Sequence, residues 1–186
     1  MTTNDYQYLA LLRGINVGGN NIIKMADLKA CFENMGFSDV SSFIQSGNVF
    51  FKSDEEDIVK LTNSIEKVLS DRFDYKSRIV VISKNQLRKV VEEAPPKFGK
   101  EKDLYKYDVL FLKAPFISKE AIKDVEIKEG VDFAFEGENV LYFSRLINQA
   151  SKSHLIKIIN KPFYQYITIR NWNTTTKLLE LMSQTE

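Results

Sequence analysis

The order strand, helix, strand, strand, helix, strand, with one more helix trailing, can be read twice along this chain, and few other features restrict its fold so strongly. In the first pass, Tyr8–Leu12 is an apolar run closed by Gly14. Met25, Leu28, Phe32 and Met35 then recur at helical spacing before a capping Gly36. Segments 40–44 and 49–52 flank the tight-turn sequence Gln45-Ser46-Gly47-Asn48 and read as a hairpin. The acidic run Asp54–Asp57 opens a helix with the stripe Ile58, Leu61, Ile65, Val68, and Arg78–Ile82 is the next strand. Ser83-Lys84-Asn85-Gln86 has capping-box form ahead of the trailing helix, which Pro95-Pro96 stops.

The second pass starts at the Asp108–Leu112 strand. A short helix capped by Ser118 follows, then a hairpin of 131–135 and 139–143 around Glu136-Gly137-Glu138. Leu155, Ile156 and Ile159 predict a helix running to Pro162, with a strand over 166–170 and a trailing helix over 174–182. The hairpins align Val40 with Val131, Gln45 with Glu136, and Asn48-Val49 with Asn139-Val140, which indicates an internal duplication. The expected fold class is α+β: duplicated ferredoxin-like halves forming a pseudo-dimer, residues 1–94 and 105–186, joined by a linker over 95–104. Halves of that size bury little surface on their own, so a shared interface is expected to help stabilise both.

Where the first strand ends, Leu11-Leu12-Arg13-Gly14-Ile15-Asn16-Val17-Gly18-Gly19-Asn20-Asn21 turns from apolar residues to glycines and amides. Glycines let backbone approach a ligand closely, and the side chains bring donors to the same place. Two other donor-rich segments lie at strand ends or turns, Gln45–Asn48 and Thr168–Thr174. Together they resemble, nearly from end to end, the bacterial family called domain of unknown function 1697. Its marks are Leu-Leu-Arg-Gly-Ile-Asn-Val-Gly-Gly, Gln-Ser-Gly-Asn-Val and Thr-x-Arg-Asn-Trp, found here at 11–19, 45–49 and 168–172. The resemblance implies no particular activity, substrate or cofactor. Family members often carry lysines after the paired glycines where this chain has Asn20 and Ile22; Lys24 is the nearest cation, which weakens a phosphate-cradle reading of the loop.

The residues themselves point to a small anionic or nucleotide-like ligand, held in a cleft between the halves by Arg13, Asn16, Gln45, Asn48, Arg170, Asn171 and Trp172. Five of them have a plainer role. Gln45 and Asn48 are turn formers, Arg13 and Arg170 could pair with carboxylates, and Trp172 could be core. The glycine loop fits neither the P-loop nor the dinucleotide fingerprint. A protein-interaction module or homodimer seam, with Trp172, Phe163, Tyr164 and Tyr166 as its patch, is the alternative.

RNA binding ranks third, since the only aromatics on the third strand are Phe50 and Phe51 and the first strand offers no exposed partner for them. The 26 Lys plus Arg against 25 Asp plus Glu argue against nucleic acid as a partner. Whether the chain is an enzyme stays open and no catalytic residue is assigned. The single Cys31 and single His154 provide no N/S ligand set for a metal, no cofactor is indicated, and no G-x-S-x-G elbow is present. Cys31 reads as a buried small hydrophobe, with a reactive thiol as the other possibility. The opening Met1–Asp5 lacks a basic, signal-like region, and no apolar stretch approaches the ~18 residues of a membrane span, so a cytoplasmic protein is expected, its oligomeric state open.

Overall fold

The computed structural model describes residues 6–45 and 47–184. Ser46 of the first hairpin turn and the opening Met1–Asp5 lie outside them. The chain forms two compact units, Met1–Gln86 and Leu87–Glu186.

The first unit contains β1 (Tyr6–Leu12), α1 (Met25–Asn34), β2 (Ser38–Phe43), β3 (Asn48–Ser53), α2 (Ile58–Phe73) and β4 (Ile79–Ser83), and its sheet runs β2-β3-β1-β4. All its pairs are antiparallel; Tyr8 faces Phe51 and Ser83, and Leu12 faces Ile79. From the predicted stripes Leu28, Phe32, Leu61 and Ile65 bury in the core, joined by Leu69, while Met25, Met35, Ile58 and Val68 pack against it partly buried; the cluster includes Tyr8, Ala10, Leu12, Val49, Phe51, Ile79 and Val81. Cys31 belongs to that core, and burial pushes its thiol up, as suits an inert small hydrophobe. Phe50 and Phe51 are both buried.

Local signals account for the helix ends. The Asp57 carboxylate accepts from the N–H groups of Val59 and Lys60 at 2.9 and 3.0 Å, starting α2. Ser83 N–H donates to Gln86 Oε1 (2.8 Å) and Gln86 N–H to Ser83 Oγ (3.2 Å), the reciprocal pair of a capping box, at the start of α3 (Lys84–Glu92).

The second unit has β5 (Tyr105–Leu112), α4 (Ser118–Ala121), β6 (Asp132–Gly137), β7 (Val140–Leu146), β8 (Ile167–Asn171) and α5 (Trp172–Ser183), and its sheet runs β6-β7-β5-β8. Two expectations are corrected here. The helix predicted through Leu155, Ile156 and Ile159 is three short 3-10 segments, Ile147–Lys152, Leu155–Asn160 and Pro162–Tyr166. Their apolar spacing is helical, but Pro162, which lacks an N–H, and the extended Ser153 and Lys161 interrupt it every few residues. At α4 the capping position belongs to Ile117, without a side-chain cap, and Ser118 is the first helical residue.

The segment read as a linker, 95–104, holds buried residues of the second unit. Phe98 packs edge-on against Tyr107, Tyr142 and Trp172, with centroids 4.8, 5.3 and 5.1 Å away. Tyr142 Oη donates to Val90 O at 2.7 Å, tying α3 to the same cluster.

Beyond strand order, the two units share a backbone hydrogen-bond pattern. Leu12 N–H donates to Gly47 O and Arg13 N–H to Arg78 O; Leu112 N–H donates to Asn139 O and Lys113 N–H to Tyr166 O. This matches Gly47 with Asn139, one residue away from the alignment drawn on sequence.

Candidate functional site

In the first unit the glycine-amide loop and the hairpin turn meet. Asn16, in a left-handed conformation at φ 53°, donates through Nδ2 to Ile23 O and Gln45 O, both at 2.9 Å, and its Oδ1 accepts from Ile23 N–H at 2.8 Å. Asn21 Nδ2 donates to Gly14 O (2.9 Å) and Asn48 Nδ2 to Phe43 O (3.0 Å). Gly47, at φ 78°, lies against Leu12 and Ile15 so tightly that a Cβ there would come 2.7 Å from Leu12 Cβ. The structure therefore brings Asn16, Gln45 and Asn48 together, but the amide groups of Asn16 and Asn48 bond to the chain's own carbonyls. Gln45 remains exposed and Arg13 half-buried.

In the second unit Arg170, Asn171 and Trp172 follow one another where β8 becomes α5. Arg170 sits opposite Val109 in the sheet and is only 9% exposed; its Nη1 donates to Thr168 Oγ1 and Ile169 O, both at 2.9 Å. Burial lowers its pKa to about 10. Asn171 caps α5, its Oδ1 accepting from Thr174 N–H at 2.8 Å. Trp172 is half-buried, with Phe98 and Gly99 against its ring.

Beside these residues lies a hollow that follows from strand register. β5 pairs with β7 from Tyr105 onward, but with β8 only from Asp108, because β8 ends at Asn171 and the chain turns into α5. The space next to 105–107 is thus left without a strand. It forms a hollow of about 420 Å³ lined by Lys102, Tyr105, Lys106, Tyr107, Ile147, Asn171, Trp172 and Asn173. Tyr107 Oη accepts from Glu101 N–H at 3.3 Å, and burial pushes its hydroxyl pKa up, so it stays protonated. Lys102 and Lys106 are exposed cations.

Two residues expected from sequence, Asn171 and Trp172, line this hollow; Arg170 does not. Lys102, Tyr105, Lys106 and Tyr107 were missed, although Lys102-Asp103-Leu104-Tyr105-Lys106-Tyr107 interleaves lysine with tyrosine and carried that signal. Among the described residues no cluster of three His, Cys, Asp or Glu side chains could hold a metal ion, and no helix is long and apolar enough to cross a membrane.

The fold and site together define an α+β protein with two four-stranded antiparallel sheets and a polar, aromatic-lined hollow on the second. Residues 6–142 match the family model described as "Protein of unknown function (DUF1697)", and the chain belongs to that family. Among solved structures it is similar to the conserved bacterial protein SP0830 from Streptococcus pneumoniae. The two share 26% identity and a TM-score of 0.84, over 96% of this chain and 99% of that one. No curated protein matches the chain.

Proposed function

We propose that the protein binds a small anionic ligand carrying a flat ring, a nucleotide being the model case, and that the second-unit hollow is where it sits. The observation that carries this reading is the lining itself. Two lysines, Tyr105, Trp172 and the amides of Asn171 and Asn173 surround about 420 Å³ of space that strand register leaves open. A cation pair attracts phosphate, aromatic faces stack on a base, and amides read ring edges, so one ligand satisfies all three. Neutral overall charge agrees with a small ligand better than with a polyanion.

Identical strand order and the matching backbone bonds at Leu12 and Leu112 support reading the units as duplicated ferredoxin-like halves. On that reading Tyr6 stands where the second unit has the hollow-lining Lys106.

Trp172 is the sole tryptophan, so its fluorescence reports on the hollow directly. Titration with adenosine, AMP, ATP and inorganic phosphate should give a saturable change for the nucleotides. The Lys102→Ala/Lys106→Ala double variant should weaken it by about tenfold or more. If no nucleotide perturbs Trp172 or is retained in equilibrium dialysis, the reading fails.

A second reading has its own observation. Phe133 and Phe135, on the sheet-edge strand β6, are 39% and 41% exposed, and an edge strand with exposed aromatics can pair with a second copy of the chain. A concentration-dependent mass in light scattering, lost in Phe133→Ser/Phe135→Ser, would favour it.

A further inference from the structure

The strand registers allow the two sheets to be compared position for position. Tyr6, Tyr8, Phe51 and Ser53 of the first correspond to Lys106, Asp108, Phe143 and Arg145 of the second, because Tyr6 pairs with Ser53 as Lys106 pairs with Arg145, and Tyr8 with Phe51 as Asp108 with Phe143. In the first unit Tyr8 and Phe51 belong to the core and stack at 5.6 Å, while Tyr6 is exposed. In the second, a carboxylate and two cations occupy that end of the face. The 3-10 segment Leu155–Asn160 that helps cover it leaves a pocket of about 210 Å³.

We propose that this pocket binds a small aliphatic carboxylate. Its walls are Leu110, Phe143, Leu155, Ile158 and Ile169, and its charged end is Lys106, Asp108 and Arg145. The charges are poorly matched to each other: Lys106 Nζ and Arg145 Nη2 stand 3.8 and 3.9 Å from Asp108 Oδ2, well beyond the length of a charge-assisted hydrogen bond. An incoming carboxylate meets Lys106 and Arg145 at the charged end of the pocket, where two cations against one acid favour its charge. Burial also pushes the Asp108 carboxyl above its usual range, which reduces the negative charge a ligand carboxylate meets. The apolar walls then select an alkyl tail of a size that fits a pocket smaller than those of drug-sized ligands. Phe143 keeps the place of Phe51, but Asp108 stands where the first unit has Tyr8, with Lys106 and Arg145 beside it in place of Tyr6 and Ser53; loosely paired charges at the edge of a core are the kind of local departure that marks function.

Lys106 borders both hollows, whereas Arg145 and Ile156 border only this one. The test is calorimetric titration of the intact protein with hexanoate, hexylamine and hexanol. Hexanoate should bind saturably and the amine and alcohol should not. Arg145→Gln should weaken hexanoate by about tenfold or more. Ile156→Glu, at a position 61% exposed, should do the same by placing a like charge on the wall without disturbing the core. Lys102→Ala should leave hexanoate binding unchanged. If Arg145→Gln fails to fold, Ile156→Glu decides alone. Absence of saturable hexanoate heat, equal binding of hexanol, or unchanged affinity in the folded variants would overturn the proposal.

Discussion

Gly99 lies flat against the indole of Trp172: a Cβ added at Gly99 would overlap Nε1 and Cδ1 of the ring. The glycine also holds φ 79°, a left-handed conformation that costs other residues about 1 kcal/mol or more. Gly99→Ala therefore meets two penalties at once, strain at φ and overpacking, the second of ~1–3 kcal/mol. We expect a loss of roughly 2–4 kcal/mol in urea unfolding together with a changed Trp172 emission in the folded state. A variant as stable as the native protein, with unaltered emission, would show that the indole does not rest on this backbone.

Asn16 makes three hydrogen bonds that fasten the glycine-amide loop to Ile23 and to the hairpin at Gln45. Its side chain acts as a strut, and its left-handed backbone suits asparagine better than alanine. Asn16→Ala should lower stability by about 1–3 kcal/mol, leaving carbonyls unpaired, while nucleotide affinity at the second-unit hollow stays the same. Unchanged stability would return the Asn16 amide to the set of groups free to contact a ligand.

These two residues also show where sequence reading stops. Strands, the acidic opening of α2 and the Ser83–Gln86 capping box were legible because each is decided within a few residues of itself. The three 3-10 segments were not, because Leu155, Ile156 and Ile159 keep helical spacing while their backbone interruptions leave little mark on it. The donors of Asn16 and Asn48 looked available for a ligand, and only the folded chain reveals the carbonyls they satisfy. Lys106, Asp108 and Arg145 escaped notice for the opposite reason: their association depends on pairing across β5 and β7, which no local pattern states.

Arg170 donates to Thr168 Oγ1 and to Ile169 O from a buried position. Lysine keeps the charge but offers a single ammonium in place of the planar fork, and a buried ammonium is harder to satisfy. Arg170→Lys is expected to cost about 1–3 kcal/mol in thermal or urea unfolding, with nucleotide affinity reduced no more than that loss explains. Full stability with weakened binding would instead place the guanidinium on the ligand.

Asp108 gives a prediction whose sign follows from its surroundings. Burial raises its carboxyl pKa above the ordinary 3.8, against the opposing pull of Lys106 and Arg145. The folded state therefore holds this proton to higher pH than the unfolded chain does, so the group opposes folding once it ionises. As pH rises from about 4 through the folded-state value, the native protein should lose stability relative to Asp108→Asn, which cannot ionise; above that window the difference between the two should level off. Urea unfolding of both proteins at several pH values between about 4 and 7 measures the difference directly, with all other titrating groups common to both. A native protein that gained on the variant as pH rose would mean that Lys106 and Arg145 outweigh burial, and that the carboxylate is held as an ion pair.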